Sequence, residues 1–61
     1  MPEIVVHLAA GRSTEQKKAL MREITDAVVR NLGVAPDRVV VQIVESTKAD
    51  KSRGGVPFDE I

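Results

Sequence analysis

With no cysteine and a single histidine, His7, among 61 residues, this chain lacks the usual means of holding a very small fold together. A domain of this size sits near the lower limit at which one apolar core sustains itself, and such scaffolds rely on disulfides, a structural metal or association. Disulfides are excluded, and one histidine cannot complete a structural zinc site. Association remains, so the chain is expected to fold as one domain, residues 1–61, whose working form is an oligomer. Its apolar residues are almost all aliphatic: there is no tryptophan or tyrosine, and Phe58 is the one aromatic. Nine Lys and Arg balance nine Asp and Glu. That balance argues against a nucleic-acid or membrane-surface binder, which would carry an excess of positive charge. No apolar run approaches the ~20 residues of a membrane span and no segment resembles a signal peptide. A soluble, cytoplasmic protein is expected.

Residues 3–8 (Glu3-Ile4-Val5-Val6-His7-Leu8) are rich in β-branched side chains and alternate weakly, which predicts a strand. Ala9-Ala10-Gly11-Arg12 breaks that pattern, and Ser13-Thr14-Glu15-Gln16 reads as a capping box with Ser13 as N-cap. Leu20, Ile24, Ala27, Val28 and Leu32 then recur at helical spacing. Lys17, Lys18, Arg22, Glu23, Asp26 and Arg30 fall mostly on the solvated face. Gly33 is a suitable C-cap with Pro36 three residues beyond it, so the helix is predicted over 14–32. A second β-branched run, Arg38-Val39-Val40-Val41-Gln42-Ile43-Val44, is nearly continuous in apolar character and predicts a strand covered on both faces. The tail from Ser46 is polar and carries Gly54-Gly55-Val56-Pro57-Phe58, a turn followed by a short apolar segment.

Strand, helix and strand with short connections make an α/β fold: a single β-α-β unit with parallel strands, a right-handed crossover and a short C-terminal hairpin. Two strands under one helix leave an apolar face and two strand edges open, and such edges recruit other strands. The sheet is therefore expected to be completed by oligomerisation with further copies of the chain.

Pro2 is the one chemically distinctive group. It follows Met1 at the head of the first strand, and removal of Met1 converts its nitrogen into a free secondary amine. An α-amino group titrates at about 7.7–8.0 when unperturbed. Burial in an apolar pocket or a neighbouring guanidinium disfavours the cation and lowers that value. An amine brought to about 7 is well matched to general-base work at neutral pH. While Met1 is retained the same nitrogen is an amide and has no basicity, which leaves a catalytically silent assembly subunit as an alternative. Methionine is usually trimmed before a residue as small as proline.

Pro2, Gly11-Arg12-Ser13, Glu15-Gln16-Lys17, the Pro36-to-Glu45 strand and Gly54-Gly55 together resemble the 4-oxalocrotonate tautomerase family over essentially all of residues 2–58. The resemblance is most specific at the proline after Met1 and at the Gly-Arg-Ser/Thr-x-Glu-Gln-Lys entry to the helix. It implies a β-α-β fold whose pairs form four-stranded sheets and whose three pairs form a hexamer, a trimer of dimers. It also implies catalysis without a cofactor or metal, with the amino-terminal proline moving a proton between oxygen and carbon of a dienol. The implied substrates are small acids of the 2-hydroxymuconate (4-oxalocrotonate) or phenylenolpyruvate type, as met in the degradation of aromatic compounds. Other reactions of the superfamily, dehalogenation by hydration or decarboxylation of a three-carbon acid, would use Pro2 as a charged acid instead.

The candidate substrate-binding residues follow. Arg12 lies in the loop entering the helix, where a guanidinium and helix N-terminal N–H groups suit a carboxylate; the resemblance implies that it holds the substrate carboxylate. Where the best-known members carry a second active-site arginine in strand two, this chain has Val40, and where they carry a pocket aromatic before the glycines it has Lys51. Arg38, two positions before Val40, would share a strand face with it and supply some of the missing charge. The alternative for Arg38 is a solvated side chain or one paired with Asp37 or Glu45. Lys51 and Arg53 lie in the tail that folds near an active site in the family, against the alternative of an ordinary solvated charge run. His7 has the opposite parity to Pro2 and is expected to be structural, and Phe58 is expected to pack at an interface.

Overall fold

The computed structural model describes residues 1–61. A strand β1 (Glu3–Ala9) is followed by a helix α1 (Thr14–Leu32), a 3-10 turn (Pro36–Arg38) and a strand β2 (Val40–Ser46). A second 3-10 turn (Lys48–Asp50) leads to a hairpin of two short strands, β3 (Ser52–Arg53) and β4 (Val56–Pro57), and a final 3-10 turn (Phe58–Glu60). β1 and β2 pair in parallel, in register from Glu3 opposite Val40 to Ala9 opposite Ser46. The predicted β-α-β unit and C-terminal hairpin are both present.

Local chemistry sets the helix ends. The Ser13 hydroxyl accepts from the Gln16 N–H at 3.1 Å, and the Gln16 side-chain oxygen accepts from the Ser13 N–H at 3.0 Å. Two N–H groups that no helical carbonyl can reach are thereby satisfied. At the other end Gly33 adopts φ +68° and its N–H donates to the Val29 carbonyl, a left-handed cap that glycine takes at little steric cost. The helix occupies the predicted residues.

The second strand starts later than its sequence suggests. Pro36, with its ring-fixed φ, opens a 3-10 turn in which Arg38 N–H donates to the Ala35 carbonyl and Val39 N–H to the Pro36 carbonyl. Arg38 is therefore in a turn and not on a strand, and the expected strand face shared with Val40 does not exist. At its far end β2 runs on to Ser46, two residues past the apolar run, because Ser46 is still paired to Ala9. In the tail, Gly54 and Gly55 have φ +60° and +84°. Two consecutive positive φ values are what a two-residue hairpin turn of matching twist requires.

Packing is one-sided. Ile4, Val6, Leu8, Val41 and Ile43 alternate toward the helix and are half-buried, as are Leu20, Ile24, Ala27 and Val28 of α1. The opposite sheet face presents Val5, Val40 and Val44, which are 46%, 38% and 36% exposed, together with His7. No residue of the isolated chain is fully buried. The expected two-sided cover of β2 is thus absent from a single chain, because its one helix lies on one face.

The dimensions agree. The radius of gyration is 14.6 Å, against about 10.5 Å for a compact chain of this length. The accessible surface is 4702 Å², against about 3,900 Å² for a compact protein of this mass. The excess, about 800 Å², follows from the elongated shape of the single chain, 42 × 23 × 14 Å. No helix is long and apolar enough to cross a membrane. Sedimentation at micromolar concentration is expected to show a folded species several times the 6.6 kDa chain mass; a folded, monodisperse single chain would overturn this.

Candidate active site

Pro2 is anchored at the head of the sheet. Its carbonyl accepts the Val40 N–H at 2.9 Å, which ties it to the start of β2 and extends the parallel ladder by one step. Pro2 is half-buried, while Met1 before it is 88% exposed. Loss of Met1 would remove almost no packing and would leave the nitrogen at a site held by backbone geometry.

Arg12 is at the opposite end. Ala10 N–H donates to the Ser46 carbonyl at 2.8 Å and closes the sheet there. Gly11, at φ +123°, then turns the chain into the capping box. Arg12 precedes the N-cap directly and lines a cavity of about 240 Å³ with Leu8, Gln16, Lys17 and Leu20. Its guanidinium makes no hydrogen bond or ion pair, the one salt bridge of the chain being Lys17–Glu45. An unspent guanidinium over a partly apolar floor at a helix entrance is suited to a planar carboxylate.

The strand between these residues, β1, spans about 20 Å at the usual rise of a strand. One chain therefore does not bring Pro2 and Arg12 together. Arg38 lies at the Pro2 end, two residues before the Val40 that bonds Pro2, and is exposed. The tail leaves from the Arg12 end, where Ser46 is opposite Ala9.

Within the tail, Lys51 and Arg53 converge on Phe58. The Lys51 ammonium and the Arg53 guanidinium each lie 5.7 Å from the centre of its ring. Phe58 N–H donates to the Lys51 carbonyl at 2.7 Å, which holds the ring beside both. The attraction of a cation to an aromatic face is about 0.5–1 kcal/mol at an exposed site, enough to bias both side chains without neutralising either. Lys51 and Arg53 are thus a pair organised by one aromatic ring, an arrangement that spacing alone did not reveal.

Lys17 also departs from its sequence reading. It is half-buried and lies on the inner side of α1, its ammonium 2.8 Å from the Glu45 carboxylate of β2. Glu45 is consequently taken by Lys17 and not by Arg38. The signal was present: Lys17 stands three and seven residues before Leu20 and Ile24, in line with the apolar stripe. His7 faces away from the helix, opposite Val44 and exposed in the single chain.

A family model described as a tautomerase enzyme matches residues 2–60. The chain belongs to the tautomerase family. It is therefore an isomerase, as its relatives' names also indicate. A probable tautomerase of Bradyrhizobium diazoefficiens is 53% identical over 60 residues, covering 98% of this chain and 90% of the relative. A 2-hydroxymuconate tautomerase of Pseudomonas fluorescens is 38% identical over 61 residues, covering 100% of this chain and 97% of the relative. The solved heterohexamer 4-oxalocrotonate tautomerase of Chloroflexus aurantiacus matches with a TM-score of 0.91 at 30% identity, covering 100% and 98% of the two chains. The tautomerase fold and the resemblance read from the motifs are the same.

The capping box also stabilises the loop that carries Arg12. Ser13→Ala should destabilise the folded protein by about 1 kcal/mol, read as a shift in the denaturation midpoint at fixed protein concentration. A variant with an unchanged midpoint would show that the box contributes nothing to the assembled state.

Proposed function

We propose that this tautomerase interconverts the enol and keto forms of small acidic substrates of the 2-hydroxymuconate or phenylenolpyruvate type, with Pro2, freed by removal of Met1, as general base. The reading rests above all on one observation: a proline directly after Met1, pinned by its carbonyl to β2, at the opposite end of the sheet from an unpaired arginine at a helix entrance. The Pseudomonas fluorescens relative, named a 2-hydroxymuconate tautomerase, supports the substrate class.

The site is composed between chains. Two β-α-β units related by a two-fold axis, with strands antiparallel across the join, set the head of one sheet beside the tail of the other. Pro2 of one chain then neighbours Arg12 of its partner. We assign the working form to a homo-oligomer, a hexamer built as a trimer of dimers. The open sheet face supports association, and the heterohexamer of the Chloroflexus aurantiacus relative supports a six-subunit assembly.

The neutral Pro2 nitrogen takes the proton from the enol oxygen, and the electron pair of the O–H bond becomes the new carbonyl. The carbon–carbon π electrons move to the distal carbon, which receives the proton back from the prolinium. One base serves both steps because it stays within reach of both atoms. Arg12 holds the carboxylate and offsets the charge that develops on the dienolate, which positioned donors stabilise with little reorganisation. With Val40 where the family's best-known members carry a second arginine, Arg38 at the Pro2 end and the Lys51–Arg53 pair on the tail are the groups proposed to supply the remaining positive charge.

Protein retaining Met1 should assemble normally yet show little ketonisation of phenylenolpyruvate or 2-hydroxymuconate, and trimming Met1 should restore it. Amino-terminal state is checked by intact mass. The kcat/KM of the trimmed enzyme should rise with pH through the prolinium pKa, since the base must be neutral; a fall over that range would indicate a charged acid instead. Equal rates with and without Met1 would rule out the Pro2 nitrogen. Arg12→Ala should lower kcat/KM by about 10²-fold or more, about 3 kcal/mol of charge-assisted binding, with sedimentation unchanged.

A further inference from the structure

The cavity beside Arg12 contains a second cation, and that cation is occupied. Lys17 lines the same cavity of about 240 Å³ as Arg12, but its ammonium lies 2.8 Å from the Glu45 carboxylate. Glu45 is opposite Leu8 in the parallel register, so both project from the same sheet face, and Leu8 is part of the cavity lining. Lys17 and Glu45 also line a neighbouring trough of about 600 Å³ that runs between α1 and β2. Lys17 is thus the residue that the two spaces share. Both partners are only partly accessible, 26% and 33% for their side chains, so water screens them less than an ordinary surface pair.

We propose that Lys17 is a masked member of the anion-binding site and that Glu45, by holding it, sets how strongly the Arg12 end attracts a carboxylate. The inference rests on the reading of Arg12 as the carboxylate-binding group. Arg12, Lys17 and Glu45 together carry one net positive charge, which matches a single carboxylate. The cluster therefore attracts an anion less than its two cations alone would. Glu45 is a specificity-determining residue that acts through Lys17, and Lys17 itself is not a catalytic residue.

This arrangement makes a prediction of sign that a merely structural ion pair does not. Glu45→Gln keeps the shape, releases the Lys17 ammonium and raises the local charge by one unit. KM for 2-hydroxymuconate and phenylenolpyruvate should fall about threefold to fivefold, the size expected for one added charge several ångströms away in a partly solvated site. Lys17→Met removes the second cation from the Arg12 cavity and leaves Glu45 unpaired, and KM should rise by about as much or more. The double variant removes both charges and should return KM toward that of the parent. Lys17→Gln repeats the charge change with a polar side chain should the Met variant not assemble.

Arg12→Ala is measured alongside. If it leaves KM for both acids unaltered, the anion-site reading of Arg12 fails. If it raises KM while the Lys17 and Glu45 variants shift KM in the same direction, or change only the denaturation midpoint, the masking inference fails and the Arg12 reading stands. Opposed KM shifts in the two single variants, with recovery in the double, support it.

Discussion

The constraint on which this protein turns is that one helix covers one face of a two-stranded sheet. Ile4, Val6, Leu8, Val41 and Ile43 have α1 to pack against, while Val5, Val40 and Val44 have nothing within the chain. Hydrophobic burial is the main favourable term in folding, and here one face of the sheet, with Val5, Val40 and Val44, has no element of the chain to cover it. A chain with no fully buried residue cannot offset the conformational entropy of ordering its backbone in the ordinary way. The open face is the surface on which the proposed assembly would supply the remaining stabilisation.

The same geometry arranges the chemistry. A β-α-β unit has a head and a tail, and this chain puts Pro2 at the head and the unpaired Arg12 at the tail. Pro2 and Arg12 are separated by the length of β1, while a two-fold partner would set one beside the other. In the proposed assembly, the contact that covers the open sheet face would also bring the two residues of the site together. Neither a buried charge nor a strained side chain is needed for this. Backbone hydrogen bonds position the ends: Val40 to Pro2 at one, Ala10 to Ser46 at the other.

How far the sequence was legible depended on the range of the interaction concerned. The helix limits were readable because Ser13, Gln16 and Gly33 act on their immediate neighbours. Gly54-Gly55 was readable as a turn for the same reason. Arg38 departs from its sequence pattern because Pro36 commits it to a turn although the β-branched run continues through it. Lys17 reads as solvated by its charge, while its spacing from Leu20 and Ile24 puts it on the inner stripe, beside Glu45. The gathering of Lys51 and Arg53 at Phe58 depended on a hairpin whose register no single residue declares.

What the sequence determined by itself was the order and type of the elements, which follow from local propensity and periodicity acting within a few residues. Its length and composition pointed to association, and the resemblance of its motifs pointed to Pro2 and Arg12 as the residues proposed for chemistry. Only the tertiary structure decided that Lys17 meets Glu45 across 28 residues of chain, that Arg12 is left unpaired, and that Pro2 and Arg12 lie at opposite ends of one sheet. These depend on the register of two strands and on how a helix lies across them. Both arise from the packing of many side chains at once, and no short stretch of sequence contains that information.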